Sequence, residues 1–327
     1  VRTYSNLLKT PYDGDLFEFL TTSRIADISL NGEIRLLGKA GMYKSFTASP
    51  DSQYLLVSQL KRPFSYLVPQ SRFPLLTEVW TTDGELVTQV ADLPSGETIP
   101  KGFDSVIEGR RSIAWRGDKA ATLVWAEALD GGDMNTEAEH HDSVYTWDAP
   151  FKQAPQLLLN IERRFAGIEW GNADFAIVTD WRFSDRQLRA WKFSPASPAA
   201  DKALFQQRSY NDRYNDPGNF VTEKNEFGVD VIKVFGDNNK VLLTGRGASP
   251  EGNIPFMDEF DFGTASKQRL WQSEAPYYEQ IVMPINDDAT RVLTLRESVN
   301  EQPNFFIRDI SNDSLTQFTD FPHPSPA

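Results

Sequence analysis

The chain alternates between two kinds of β-hairpin, and this alternation restricts its possible folds more than any other feature. Hairpins of the first kind join two apolar strands through a turn rich in Gly, Asp, Pro, Ser or Asn. They occupy residues 26–38, 78–93, 144–161, 188–207, 258–273 and 304–321. Hairpins of the second kind precede five of these, and in each a tight turn leads into a nearly continuous apolar strand. They occupy residues 45–59, 112–128, 167–181, 231–245 and 282–296. A strand that is apolar on both faces is expected in a buried inner position.

One hairpin of each kind makes four antiparallel strands, which is one blade of a β-propeller. The sequence therefore predicts an all-β fold, a β-propeller of four-stranded antiparallel blades, with about five complete blades and a half blade. A two-layer β-sandwich is the rival fold, but it does not explain the alternation of two hairpin types. Tryptophan side chains are expected to fill the spaces between neighbouring blades: Trp115, Trp125, Trp170, Trp181 and Trp191.

The predicted propeller covers residues 1–321. Its half blade, residues 1–40, carries an insertion at 5–20 that we interpret as a short helix broken by Pro11 and Gly14. Complete blades are predicted at residues 41–110, 111–165, 166–229, 230–280 and 281–321. The polar insertion at 208–229 is expected on the surface. Because one inner hairpin is lacking, we expect the sequence to be part of a longer protein, and its open blade edges could pair with a second copy.

The charge balance excludes several classes of partner. Acidic residues outnumber basic ones by 46 to 33, which gives a net charge of −13. Such a surface repels phosphate backbones and anionic lipid, so neither nucleic acid nor a membrane is an expected partner. The absence of cysteine excludes disulfides and thiol chemistry but leaves the compartment open between periplasm and cytoplasm. A signal peptide upstream would favour the periplasm.

Two patterns suggest chemistry at first reading but are explained more simply. His140, His141 and Asp142 are sequence neighbours in an acidic loop, and adjacent side chains on an extended chain point apart. A third ligand is not evident, so we predict no metal and no cofactor. Carboxylates are plentiful, including those at 258–261 and 286–290, but bonds to nearby backbone amides explain the ones in turns better than glycosidase chemistry does.

Loops rich in charge and aromatic residues supply the candidate site residues. The segment 62–74 is rich in proline and aromatics with a cationic residue near each end, which suits contact with a second domain or an anionic peptide. The alternative is an ordered insertion that packs on its own blade. The acidic loop 127–142 and the connection at 163–164 are further candidates for the same interface. The candidate substrate- or domain-interface residues are Arg62, Tyr66, Arg72, Asp130, Asp133, Arg163 and Arg164.

Four stretches carry a resemblance to a known family: residues 2–19, 61–74, 127–133 and 164–172. They resemble the propeller of prolyl oligopeptidase family serine peptidases, and within it the glutamyl endopeptidase-like branch of bacteria and plastids. The similarity extends over nearly the whole chain. It implies a propeller, usually seven-bladed, that precedes an α/β-hydrolase domain with a Ser/Asp/His triad, and residues 322–327 would begin the linker to that domain.

The chain has no G-x-S-x-G pentapeptide, the motif that presents the nucleophile of an α/β-hydrolase. No catalytic residue is therefore assigned, and the chain alone is expected to be inactive. The resemblance implies a non-catalytic domain that controls peptide access to a separate hydrolase domain, with cleavage after Glu in the full-length protein. Its partners would be a peptide substrate and its own hydrolase domain. A stand-alone propeller that binds proteins or peptides is the alternative. A propeller hydrolase acting on sugars has less support, because no carboxylate pair stands out.

Overall fold

A computed structural model describes residues 4–200 and 202–322 of the 327-residue chain. Most of the predicted linker at 322–327, together with His323, lies outside the described residues. The chain forms two compact units. The first runs to Gly167 and adds Thr179–Asp185 and Glu226–Val229; the second comprises Ile168–Val178, Arg186–Asn225 and the described chain from Asp230 onward. Across the described ranges no helix is both long and apolar enough to cross a bilayer.

The helix α1 (Pro11–Thr21) precedes the first strand. Thr10 caps it: the Thr10 hydroxyl accepts a bond from the Asp13 amide at 3.2 Å, and the Asp13 carboxylate accepts one from the Thr10 amide at 2.9 Å. The prediction that Pro11 and Gly14 break this helix is wrong. Pro11 occupies the first turn, where a missing N–H costs nothing. Gly14 is buried inside the helix, where a Cβ would lie 3.4 Å from the Phe64 ring.

The first sheet has the order β1-β2-β3-β4-β5, all antiparallel. Its strands are β1 (Ser23–Ile28), β2 (Ile34–Ala48), β3 (Tyr54–Leu60), β4 (Leu75–Thr81) and β5 (Leu86–Leu93). The early part of β2 pairs with β1, and from Met42 onward β2 pairs with β3. The predicted boundary between residues 40 and 41 therefore falls within a single 15-residue strand.

The second sheet packs against the first. Its strands, in sheet order, are β6 (Arg111–Trp115), β7 (Thr122–Ala128), β8 (Asp142–Asp148) and β9 (Gln156–Ile161). The strand β7 begins with five buried residues, as expected for an inner strand. Trp125 is fully buried among side chains of both sheets, as predicted. This cluster contains Leu56, Val79, Val90, Leu123, Trp125 and Phe151.

The third sheet repeats the order of the second. Its strands, in sheet order, are β10 (Arg164–Asn172), β11 (Phe175–Arg182), β12 (Gln187–Phe193) and β13 (Ala203–Ser209). Trp170 is buried, as predicted, but Trp181 is 36% exposed. The expectation that Trp181 fills a space between blades is therefore not met.

In the fourth sheet, two short strands share the innermost place, and both pair with the same neighbouring strand. The strands of this region are β14 (Asn219–Phe220), β15 (Thr222–Lys224), β16 (Asp230–Ile232), β17 (Val234–Phe235), β18 (Lys240–Gly245), β19 (Ala248–Ser249), β20 (Gly252–Asn253), β21 (Phe256–Asp261) and β22 (Ser266–Gln272). The sheet runs β14-β18-β21-β22, and β17 also pairs with β18. The predicted surface insertion at 208–229 thus contributes β14 to the sheet, and its Val221 is buried. Its apolar Phe-Val pair explains why part of a polar insertion enters the core.

The fifth sheet has the order β23-β24-β25-β26 and packs on the fourth. Its strands are β23 (Tyr278–Pro284), β24 (Arg291–Glu297), β25 (Asn304–Asp309) and β26 (Ser314–Gln317). Trp271 of β22, Met257 of β21 and Val292 of β24 share one buried cluster. Each predicted hairpin coincides with a pair of adjacent antiparallel strands, and the predicted fold, a β-propeller of four-stranded blades, is confirmed.

Candidate functional site

Four connections of the first unit form what we call the loop layer: residues 61–74, 94–110, 129–141 and 162–163. In an antiparallel four-stranded blade, the connection between the second and third strands lies at the same end as the exit from the fourth. The loop layer consists of these connections in the first two complete sheets. The predicted site residues lie in it or, for Arg164, at the adjoining start of β10. The topology therefore brings the predicted candidates to one end of their sheets.

Direct contacts join the segments of the loop layer. The Val106 amide donates a 2.9 Å hydrogen bond to the Gly132 carbonyl. Gly96 lies so close to Arg72 that an added Cβ would be 2.9 Å from the Arg72 Cβ. The layer is therefore a continuous surface of packed loops.

Arg62 is bound by α1. Its Nε donates to Glu18 Oε2 at 2.6 Å and its Nη2 donates to Asp15 Oδ1 at 2.7 Å. The guanidinium carbon also lies 4.9 Å from the centroid of the Phe64 ring. The hydrogen bonds with Glu18 and then Asp15 raise the pKa of Arg62. Because two carboxylates of α1 already bind this guanidinium, Arg62 links the helix to the 61–74 loop.

An aromatic cluster fixes the loop at 61–74 beneath that ion pair. The Phe17 ring meets the Phe64 and Phe73 rings edge to face, with centroid distances of 5.2 and 5.7 Å. Phe64 and Phe73 stack on each other at 5.2 Å, and Met42 and Leu60 complete the cluster. These contacts favour the reading of 61–74 as an ordered insertion that packs on its own blade.

An apolar surface of α1 and the adjoining loop stays exposed in the described chain. Tyr12, Phe19 and Leu20 of α1 are 71%, 78% and 69% exposed, and Leu67 of the loop is 68% exposed. Tyr66, one of the predicted candidates, is exposed too. Arg72 lies with its guanidinium carbon 5.9 Å from the Tyr4 ring centroid. Phe19 and Leu20 lie seven and eight positions after Tyr12, so the three share one face of α1, and large exposed apolar side chains on one face are typical of an interaction surface.

A buried ionic network centred on Arg164 holds the acidic loop. Arg164 Nη2 donates to Asp130 Oδ2 at 2.6 Å, and Nη1 donates to Asp142 Oδ1 at 2.9 Å. The Arg164 side chain is 2% exposed, and both carboxylates are fully buried. Arg164 Nε donates to the Asp104 carbonyl at 2.7 Å, which ties the neighbouring connection to the same group. Arg164 therefore joins two strands and two loops of the layer.

Asp130 and Asp142 also form hydrogen bonds with other members of the network. Asp142 also accepts bonds from Arg111 and, at 2.6 Å, from the Phe165 amide. His141 Nδ1 lies 2.7 Å from Asp130 Oδ2. Burial by itself raises the pKa of Asp130, but the hydrogen bonds from Arg164 and His141 outweigh it and hold that pKa below its ordinary value. Burial lowers the pKa of Arg111 more than its pairing with Asp142 raises it.

This network explains the motif at 140–142 without a metal. His141 and Asp142 are engaged by Asp130, Arg111 and Arg164. Within residues 4–200 and 202–322, no cluster of three or more His, Asp or Glu side chains is arranged to hold a metal ion.

The other predicted candidates have local roles. The Asp133 carboxylate accepts bonds from the Asn135 amide at 3.0 Å and from its Nδ2 at 2.8 Å, which caps a turn. Arg163 is half-buried at the turn between β9 and β10. Sequence reasoning identified Asp130 and Arg164 as candidates, but it missed Arg111 and considered Asp142 only as a metal ligand. Arg111 begins β6 and Asp142 begins β8, and a charged residue at the first position of a strand was the signal that sequence reasoning could have used.

Comparison with known proteins finds relatives in the same group of peptidases that the sequence resembles. A scan of family models finds no match. A rice protein (Oryza sativa subsp. japonica) named probable glutamyl endopeptidase, chloroplastic, is 39% identical over 340 residues. An Arabidopsis thaliana protein of the same name is 40% identical over 341 residues. Both alignments include the whole of this chain but only 36% and 35% of the plant proteins.

Solved structures with a similar path include other propellers. The β-propeller domain of the trilobed protease from Pyrococcus furiosus is 10% identical, with 93% of this chain and 78% of that one covered and a TM-score of 0.41. The acylaminoacyl peptidase of Pyrococcus horikoshii is 14% identical, with 91% and 42% covered and a TM-score of 0.42.

The identity with the two plant proteins confirms the resemblance to the glutamyl endopeptidase-like group, and the strand pairing identifies the shared portion as propeller blades. The chain is therefore similar over its whole length to a portion of two proteins named probable glutamyl endopeptidase, and it spans about a third of the length of these relatives.

Proposed function

We propose that this chain is the non-catalytic propeller domain of a serine endopeptidase, in which it controls the access of peptides to a separate α/β-hydrolase domain. The observation that carries the proposal is the identity over the whole chain with about a third of two proteins named glutamyl endopeptidase. The larger remainder of such a protein has room for a hydrolase domain. This chain supplies no G-x-S-x-G motif for the nucleophile.

The loop layer supports a role in contact and control. Buried ion pairs and aromatic stacking hold its loops in place, so binding would cost little ordering of the chain. Next to the ordered loops lies the exposed apolar surface of Tyr12, Phe19, Leu20 and Leu67. We assign this surface to contact with the rest of the full-length polypeptide. A loop layer held in place at the entrance to the hydrolase site would admit an extended peptide and exclude a folded protein on steric grounds alone.

Cleavage after Glu requires a cationic pocket for the glutamate side chain. Arg62 and Arg164 are poor candidates for it, because each already binds two carboxylates. Arg72 is the remaining basic candidate in the 61–74 loop, and its guanidinium carbon lies 5.9 Å from the Tyr4 ring centroid. We therefore propose that the cationic pocket lies mainly outside the loop layer.

The test uses the full-length protein and two fluorogenic peptides that differ only by Glu or Gln at the cleaved position. The proposal predicts cleavage of the Glu peptide, loss of activity after treatment with a fluorophosphonate, and no cleavage by the 327-residue chain alone. The fluorophosphonate should label a serine outside the 327 residues of this chain. Failure to cleave either peptide, or cleavage by the isolated chain, would contradict it. Tight peptide binding without cleavage by the full-length protein would favour the stand-alone binding platform.

A further inference from the structure

A cavity of about 540 Å³ lies in the second unit between the fourth and fifth sheets. Its walls come from the end of β22, the turn at 274–277 and strands β23 to β25. Trp271 and Tyr277 contribute aromatic surface, and Arg296 and Arg308 contribute guanidinium groups. A concave site of this size, whose wall combines aromatic surface with charged side chains, is suited to recognition of a small polar ligand or a side chain.

Arg296 is held in place by aromatic rings. Its guanidinium carbon lies 3.2 Å from the Tyr277 ring centroid and 5.3 Å from the Phe306 ring centroid. Its side chain is 17% exposed. Stacking fixes the plane of a guanidinium but uses none of its N–H donors.

The hydrogen-bond donors of Arg296 remain unused by the described residues. Its Nε is 3.7 Å from Glu279 Oε2, and its Nη1 is 4.0 Å from Glu301 Oε2. Both distances exceed hydrogen-bonding range. A guanidinium positioned by its neighbours, with donors unpaired beside a cavity, is suited to a bidentate acceptor.

Glu279, the nearby acid, has other hydrogen-bond donors than Arg296. Glu279 is buried and accepts bonds from Arg308 Nε at 2.9 Å, Arg308 Nη2 at 2.7 Å and the Thr294 hydroxyl at 2.7 Å. Burial lowers the pKa of Arg308, but its hydrogen bonds and charge pairing with Glu279 outweigh that effect and raise it. Arg269, also on the wall, is paired with the buried Asp258. The other cations of the cavity are therefore neutralised by the protein.

We propose that this cavity binds a carboxylate group of a peptide, and that Arg296 is the residue that pairs with it. The carboxylate would accept two parallel N–H bonds along one edge of the guanidinium, and the attached chain would lie against Trp271 and Tyr277. Such a carboxylate could belong to an acidic side chain or to the end of a peptide. The site is a property of this chain and does not depend on a hydrolase domain.

The charges at the cavity favour a monoanion. Glu274 and Asp313 lie on its exposed rim. Asp313 is paired with Arg308, so Glu274 is the rim carboxylate that would repel a doubly charged phosphate more strongly than a single carboxylate. Inorganic phosphate should therefore not compete with a peptide carboxylate for Arg296.

The experiment is calorimetric titration of the 327-residue protein with three pentapeptides. One has a central Glu and blocked ends; a second has Gln in that place with blocked ends; the third has Gln and a free C-terminal carboxylate. Charge-assisted bidentate bonds predict that at least one acidic peptide binds roughly tenfold or more tightly than the neutral one. The acidic peptide that binds identifies the source of the carboxylate.

Arg296→Gln should remove this preference for the acidic peptide and leave binding of the neutral peptide unchanged. Arg291→Gln is the matched control, because Arg291 is an exposed arginine on the same strand that does not line the cavity. Arg296→Lys retains the charge without the planar fork and should weaken binding several-fold. It also serves as the test variant if Arg296→Gln does not fold. Equal binding of the acidic and neutral peptides, no binding of any peptide at millimolar concentration, or wild-type affinity in both Arg296 variants would overturn the proposal.

Discussion

Replacing Arg164 by Gln should destabilise the first unit more than the loss of any exposed arginine. The substitution leaves Asp130 and Asp142 buried, with His141 and Arg111 as their remaining side-chain partners. Removing one partner of a buried ion pair costs about 3–5 kcal/mol, because the other charge stays desolvated. For a domain of about 150–250 residues this corresponds to a fall in Tm of roughly 6–20 °C.

Differential scanning calorimetry measures the effect, and hydrogen exchange locates it. Exchange should accelerate at the amides of Val106 and Phe165, whose hydrogen bonds depend on loops that Arg164 joins. Arg35→Gln is the control in the same unit. Arg35 pairs with Asp27 and Asp83 at an exposed site, so its replacement should leave Tm close to that of the wild type.

A double-mutant cycle with Asp130→Asn separates the ion pair from the other bonds of Arg164. Combining Asp130→Asn with Arg164→Gln removes both charges, so the double variant should be more stable than the sum of the single effects predicts. The coupling energy should lie between about 0.5 and 3 kcal/mol. Strict additivity, or an Arg164→Gln variant as stable as Arg35→Gln, would refute the reasoning that this network holds the loop layer.

Two further predictions concern the same face of the first unit. Asp130 has a lowered pKa in the folded state, so its stabilising contribution is present above the ordinary value of 3.8 and is lost as pH falls through the folded pKa. Asp130→Asn should therefore flatten the acid limb of stability against pH, and an unchanged limb in equilibrium denaturation between pH 2 and 5 would contradict this. Arg62→Gln releases α1 from its loop, so limited proteolysis should cut within Pro11–Thr21 faster while the Tm of the remainder stays unchanged. Equal cleavage rates in the variant and the wild type would show that the aromatic cluster alone holds the helix.

The sheets could be predicted from sequence because their signals are local. Alternation of apolar residues and the Gly, Asp and Asn turns act within about fifteen residues, so each hairpin could be identified on its own. Pro11 shows the limit of such local signals. A proline followed by a glycine indicates either a helix start or a break, and only the capping bonds of Thr10 and Asp13 decide between them.

The sites could be predicted less well because they depend on distant contacts. The bond between Asp130 and Arg164 joins residues 34 positions apart, and it forms only when two connections fold beside each other. Sequence reasoning named both residues as interface candidates, whereas the structure places both in a buried network. Arg296 carried no signal in the sequence, since its unused donors become visible only beside the Tyr277 ring and the paired Glu279. The β14 strand was missed because two apolar residues in a polar insertion are too short a pattern.

The size dependence of cleavage by the full-length protein tests the central claim most directly. One Glu-containing site would be presented in a short peptide, in an unfolded chain and in a surface loop of a stably folded domain, and kcat/KM would be measured for each. A propeller that controls access predicts efficient cleavage of the short peptide and no detectable cleavage of the folded domain. Equal kcat/KM for the peptide and the folded domain would contradict the account.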